Sequence, residues 1–297
     1  MSDIGGLDWT EEQWSRVRQL VHDEALRGRV GAAFLPLYGP LADNVETVPR
    51  NLYEGVVGPG GQGLLTVDDT DVLRLCTVAV NVQLRGAQAA DPELASASIL
   101  FRRAAAIVAR IEDAIVFNGQ PKADAPPARG IEGLEAVFTV RGGGAHRGLL
   151  DTKASGAPVA VPGGDAPKGP DVFAAVVEAV SRLESSGHYG PFACVLGDRM
   201  FQAVNTPIAQ SMVLPRDSIL PYLGGPLLRA SAAAASSGLV VSLQGDPAEI
   251  VVAKDISVRY LQATLEARHV FRVSQRFVLR IKEPRALVRL ETAAAAA

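Results

Sequence analysis

Apolar residues recur along this chain with two periods. Before about Leu26, Trp14, Val17, Leu20 and Val21 fall three and four apart, the spacing of one helical face. Thr10 stands at the N-cap with Gln13 three residues on, a capping-box pattern, and Gly28 and Gly31 end the run. The longest helical pattern spans 97–118, with Leu100, Ala104, Ile107, Val108, Ile111 and Ile115 on one face and Gly119 as its stop. A third helix is expected over 170–186, with Phe173, Val176, Val177 and Val180 inward, and a short fourth over "DRMFQAVN" (198–205).

The other period is two. From His269 to Ile281 the odd positions are mostly apolar (Phe271, Val273, Phe277, Leu279, Ile281). The even ones are mostly basic (Arg272, Arg276, Arg280, Lys282). That alternation predicts a half-buried strand. A strand of ~13 residues spans roughly 43 Å, well beyond the usual ~5–6 residues, so it reads as a spine crossing a large sheet. The basic face is a solvated surface, a set of charges that pair with acidic neighbours, or a nucleic-acid contact.

Residues 50–82 read as two strands around a glycine-rich tip, the second arm too polar at its start for full burial. "FLPLYGPL" (34–41) is an extended apolar turn segment. Between Gly119 and Pro170, 18 of 52 residues are Gly or Pro, which predicts loops, with "LEAVFTV" (134–140) as a strand. "GHYGPFACVLG" turns into a buried strand, and two or three more flank the Gly245-Asp246-Pro247 turn. Helix, hairpin, long helix, loops, mixed elements and strands in that order make an α+β fold, not an alternating parallel one.

Composition narrows the function classes. The 297 residues allow one large domain or two modest ones, and 48% hydrophobic residues can form a substantial core. A net charge of −3 argues against a strong nucleic-acid binder. Cys76 and Cys194 lie in apolar runs and are expected as buried thiols. The opening "MSDIGGLDWTEEQW" lacks an apolar signal core, no run of ~18 apolar residues predicts a membrane span, and lipidation motifs are absent. The expectation is a cytoplasmic protein.

Site chemistry is sparse. His22, His146, His188 and His269 stand apart, and neither cysteine has a CxxC partner. Gly58, Gly60 and Gly63 match GxGxxG, but "LLTVDDTDVLRL" after them reads as a strand, and a dinucleotide needs a helix N-terminus there. Asp68 and Asp69 read as a turn. Glu112 and Asp113, adjacent on a helix, are expected as one contact near the core and one solvated residue. No nucleophile meets a base, so no enzyme is expected, and no metal or cofactor site.

The pattern resembles a known family. "GAAFLPLYGPL" (31–41), "IEDAIVFNG" (111–119), "LESSGHYGPFACVL" (183–196), "LVVSLQGDPAEIVVAKDISVRYL" (239–261) and "HVFRVSQRFVLRIKEPRALVRLE" (269–291) occur in the order and spacing of encapsulins. These are the bacterial nanocompartment shell proteins of the linocin-like family, with the Hong Kong 97-type phage major capsid fold. The resemblance implies a peripheral domain from 1–49, 83–130 and 241–291, an extended loop at 50–82, an apical domain at 131–240 and a flexible tail at 292–297. It implies icosahedral self-assembly around a cargo enzyme that docks through a short peptide. Family cargoes are ferritin-like proteins, hemerythrins or dye-decolorising peroxidases, with roles in iron storage or oxidative stress.

The implied cargo groove holds Phe34, Leu35, Leu37, Ile256, Val258 and Tyr260, which taken singly are equally well core residues. The implied pore turn holds Gly187, His188 and Tyr189. Where family members often carry a basic pair and an Asp, this chain has Ala32, Ala33 and Pro36. The cargo peptide therefore differs, or loading works otherwise or not at all. No aromatic stands near Gln83 and Leu84, so flavin binding by the family's stacking route is not expected. The alternative reading is a phage or prophage major capsid protein packaging DNA; nucleic acid and membrane partners are not expected for a shell.

Overall fold

The computed structural model describes residues 7–42, 44–57, 63–151, 157–208 and 212–293. Gly58 and Gly60 of the GxGxxG match, and the end of the alanine tail, lie outside them. In chain order the helices are α1 (Glu11–Gly28), α2 (Gly86–Ala89), α3 (Ala95–Asn118), α4 (Gly169–Ser185), α5 (Asp198–Val204) and α6 (Pro215–Leu223). The strands are β1 (Leu37–Tyr38), β2 (Thr47–Pro49), β3 (Leu52–Val57), β4 (Gly63–Asp68), β5 (Val72–Arg74), β6 (Cys76–Arg85), β7 (Thr139–Gly142), β8 (Val159–Val161), β9 (Phe192–Leu196), β10 (Leu227–Arg229), β11 (Ser237–Ser242), β12 (Ala248–Ala263), β13 (Arg268–Ile281) and β14 (Leu287–Thr292).

The first sheet has the order β1-β12-β13-β6-β7. β13 is the expected long strand, antiparallel to both β12 and β6. Its odd residues face a core shared with α1 and α3, where Phe271, Val273 and Phe277 are fully buried. Phe271 stacks on Trp9 at 4.9 Å and meets Phe101 and Tyr260 edge-on, each at 5.3 Å. The even face changes along the strand. Arg272 and Arg276 are half-buried, but Val278 and Arg280 are buried, because Val48 of β2 and Leu73 of β5 cover that end. Burial is therefore two-sided at the C-terminal end of β13.

The capping box of α1 forms as expected: Thr10 Oγ1 accepts from the Gln13 N–H, and Gln13 Oε1 accepts from the Thr10 N–H. In α3 the expected core face is buried from Ala104 to Ile115, and its first position alone differs. Phe101 is fully buried, while Leu100 is 38% exposed. From Ile107 to Phe117 α3 is enclosed almost all round, between α1, the sheet and the loops that follow it.

The second sheet has the order β10-β9-β11-β14-β8, and α4, α5 and α6 pack with it around a separate core. All five residues of β9 are buried, as a central strand requires. The "LEAVFTV" strand is shorter than expected. Turns occupy 134–137 and pairing starts at Thr139.

Among the described residues β3 and β4 pair only with each other. The paired arms of the hairpin end at Asp68, and Cys76–Arg85 runs into the centre of the first sheet.

Candidate functional site

Three features stand out: an exposed hairpin, a buried charge centre, and the positions expected for a groove and a pore.

Among its described residues the hairpin has no core of its own. In β4, Leu64 is 50%, Leu65 88% and Val67 49% exposed, and Tyr53 of β3 is 37% exposed. A lone two-stranded ribbon is marginal in water, so its root is anchored. The Tyr53 N–H donates to Lys282 O at 2.8 Å. Arg280 Nη1 donates to Pro49 O at 3.1 Å, with its guanidinium 4.9 Å from the centre of the Tyr38 ring. Glu249 holds both Arg280 and Lys282, and all three side chains are largely buried. One carboxylate thus fixes the two residues that meet the hairpin's base, Arg280 through its guanidinium and Lys282 through its backbone carbonyl.

The charge centre contradicts the expectation for the acidic pair. Glu112 and Asp113 are both buried. Adjacent helical residues do point apart, but α3 is enclosed on both sides there, so each finds a partner. Arg29, one residue past α1, places Nε 2.7 Å from Glu112 Oε2, off the line of a hydrogen bond. Its Nη2 donates to Asp255 Oδ1 of β12 at 2.9 Å, and His22 Nδ1 lies 3.9 Å from Asp255 Oδ2 at the surface. Asp113 accepts the N–H groups of Val30 and Gly31 at 2.8–3.0 Å. Burial pushes the Glu112 carboxyl up to about 7, with Arg29 pulling down and Asp113 pushing up. Burial likewise lifts Asp113 to about 6 against its backbone bonds. A charged pair inside an otherwise apolar helical run, "RIEDAIVF", is the sequence signal for this centre.

The expected groove residues are spread along β12 and the segment that pairs with it. Phe34 and Leu35 are buried beside a cleft of about 330 Å³, which Ala33, Pro36, Val241, Leu243 and Pro247 also line. Leu37 is exposed on β1, opposite Ile250 of β12. Ile256, Val258 and Tyr260 lie from six residues farther along β12, about 20 Å at ~3.3 Å per residue, and pack into the first core. In the expected pore turn, Gly187 adopts φ 83°. His188 turns inward, its Nε2 3.5 Å from Glu283 Oε1 and its side chain 12% exposed, while Tyr189 is 57% exposed. Both cysteines are buried, with the Cys76 thiol pushed up to about 12 by burial. Among the described residues no three His, Cys, Asp or Glu gather as metal ligands, and no helix is long and apolar enough to cross a membrane.

Comparison with known proteins places this geometry. Residues 6–278 match the family model Linocin_M18, described as "Encapsulating protein for peroxidase". The chain is 29% identical to the type 1 encapsulin shell protein EncA of Myxococcus xanthus, over 96% of this chain and 94% of the relative. Its fold matches the virus-like particle from Pyrococcus furiosus with a TM-score of 0.66 at 13% identity, covering 95% of this chain and 100% of that one. It also matches the capsid of Myoviridae phage XM1 with a TM-score of 0.58 at 14% identity, covering 87% and 90%. The Hong Kong 97-like α+β fold expected from the sequence is the fold observed.

Proposed function

The chain belongs to the linocin-like family of encapsulating shell proteins, and from that premise we propose that it builds a closed icosahedral compartment around a cargo protein. The carrying observation is the hairpin: apolar arms rooted by a buried ion cluster yet left in solvent, where a single chain cannot bury them. Closed symmetric assembly buries such an element once per subunit. In this reading the first sheet with α1 and α3 is the peripheral body, the second sheet with α4–α6 the apical body, and the hairpin the clasp between copies. The phage-capsid alternative shares the fold, and the family match favours the shell. Particles purified from cells separate the two: an ultraviolet spectrum free of nucleic acid supports the shell, and packed DNA overturns it.

Cargo docks, in this proposal, at the cleft beside Phe34 and Leu35, where a short peptide sets a few apolar anchors. The cargo class is a ferritin-like protein, a hemerythrin or a peroxidase. Ala33 is exposed at the cleft, so Ala33→Arg fills it without disturbing the core. The variant is expected to form intact particles whose loading with a co-expressed cargo falls about ten-fold, the loss of ~1.4 kcal/mol of binding. Unchanged loading places cargo elsewhere.

Gly187, His188 and Tyr189 form, in this proposal, the turn at a pore, with the exposed Tyr189 ring facing the opening and His188 held back by Glu283. Tyr189→Ala is expected to speed small-ion entry. His188→Ala is expected to leave the pH dependence of entry unchanged on either side of the ordinary histidine titration near ~6.5. A pH response lost with His188 means the imidazole itself gates.

A further inference from the structure

A cavity of about 430 Å³ opens between β5, the loop after β7 and the end of β13. Arg50, Arg74 and Arg147 line it, against one carboxylate, Asp71. Asp71 Oδ2 is taken by Arg50 Nη1 at 3.2 Å. Arg147 Nε lies 3.8 Å from Asp151 Oδ2, beyond hydrogen-bond reach. Arg74 is exposed and has no ion pair among the described residues. Cations gathered in a cleft with too few countercharges raise the local concentration of anions.

The loop adds donors. It runs from Gly142 to Arg147 as "GGGAHR", and Gly142 and Gly143 take φ 75° and 71°, a bend that glycine permits. The N–H groups of Gly144, Ala145 and Arg147, which line the cavity, find no acceptor among the described residues. Open N–H groups in such a bend suit an anion. His146 fixes the loop to β5, its Nε2 donating to Arg74 O at 3.0 Å. Burial holds this imidazole below its ordinary value, so it is neutral near pH 7.

We propose that this cavity binds a small phosphate monoester. Charge sets the class. With His146 neutral the lining side chains are doubly positive, and a monoester carries about −1.5 to −2 at pH 7. Arginine forks match phosphate oxygens in pairs. Size points to an organic ester, since the cavity falls in the range of small-molecule sites, ~300–1,000 Å³. Leu73, Leu279 and Ile281 supply an apolar wall for the organic part.

Calorimetric titration of the full chain with phenyl phosphate tests this. The wild-type chain is expected to bind it about ten-fold more tightly than inorganic phosphate, because the ring adds the apolar wall. Arg74→Ala and Arg147→Ala are each expected to weaken binding at least ten-fold. Both side chains are exposed, so the variants keep the fold, seen as unchanged circular dichroism. Arg102→Ala, at an exposed arginine of α3 outside the cavity, is expected to leave binding unchanged. No binding by the wild-type chain at millimolar phenyl phosphate overturns the site. So does an equal loss in all three variants, which would show diffuse attraction to surface charge. Inorganic phosphate binding as tightly as phenyl phosphate overturns the monoester. Binding is read whether or not the chain assembles, so the outcome is independent of the shell reading.

Discussion

Arg29→Met lowers the stability of this chain by about 3–5 kcal/mol, the usual result of removing one member of a buried ion pair. The guanidinium is 2% exposed and reaches Glu112 and Asp255 from the end of α1. Methionine fills most of its volume, so the loss is electrostatic: Glu112 and Asp113 remain buried with no countercharge between them. The penalty depends on pH. Glu112 titrates at about 7 in the folded chain, above its ordinary 4.5. A carboxyl raised in this way contributes stability that is fully present below the unfolded value and is lost as pH rises through the folded one. The variant is therefore hurt most above about pH 7, where Glu112 is ionised, and least toward pH 5. Urea denaturation of both proteins at the two ends of that window checks it. An equal penalty at both shows that Glu112 does not take up a proton there.

Leu64→Lys with Leu65→Lys has the largest expected effect on assembly. Both side chains are half exposed or more, so the folded chain loses little, within about 0.5 kcal/mol. In a shell each copy would bury them, and two lysines there place uncompensated charge in every clasp. Soluble, folded, unassembled chains are expected in place of particles, seen by light scattering with unchanged circular dichroism. Particles of wild-type yield would remove the hairpin from the interface.

Much of the fold is legible in local pattern. The alternation in 269–281 gave β13 its strand and its core face, and Thr10 with Gln13 marked the start of α1. Misses arose where tertiary cover decides. Leu100 and Phe101 are both apolar, and only the packing of α3 on Trp9 and Phe271 selects Phe101. Val278 and Arg280 are buried by β2 and β5, which lie some two hundred residues earlier. Adjacency on a helix puts one of Glu112 and Asp113 inside and one outside, a rule that holds for a helix with one buried face and fails where α3 has none exposed. β8 and β10, three residues each, are too short for a period to show. The register of β1 on β12, which spaces the groove positions along the strand, is written in long-range contacts.

The central claim is assembly. The chain, purified alone, is to be viewed by negative-stain electron microscopy beside its mass in solution. Closed particles of uniform diameter, free of nucleic acid, are the predicted result. A monodisperse species of one chain, 31.2 kDa, would contradict it.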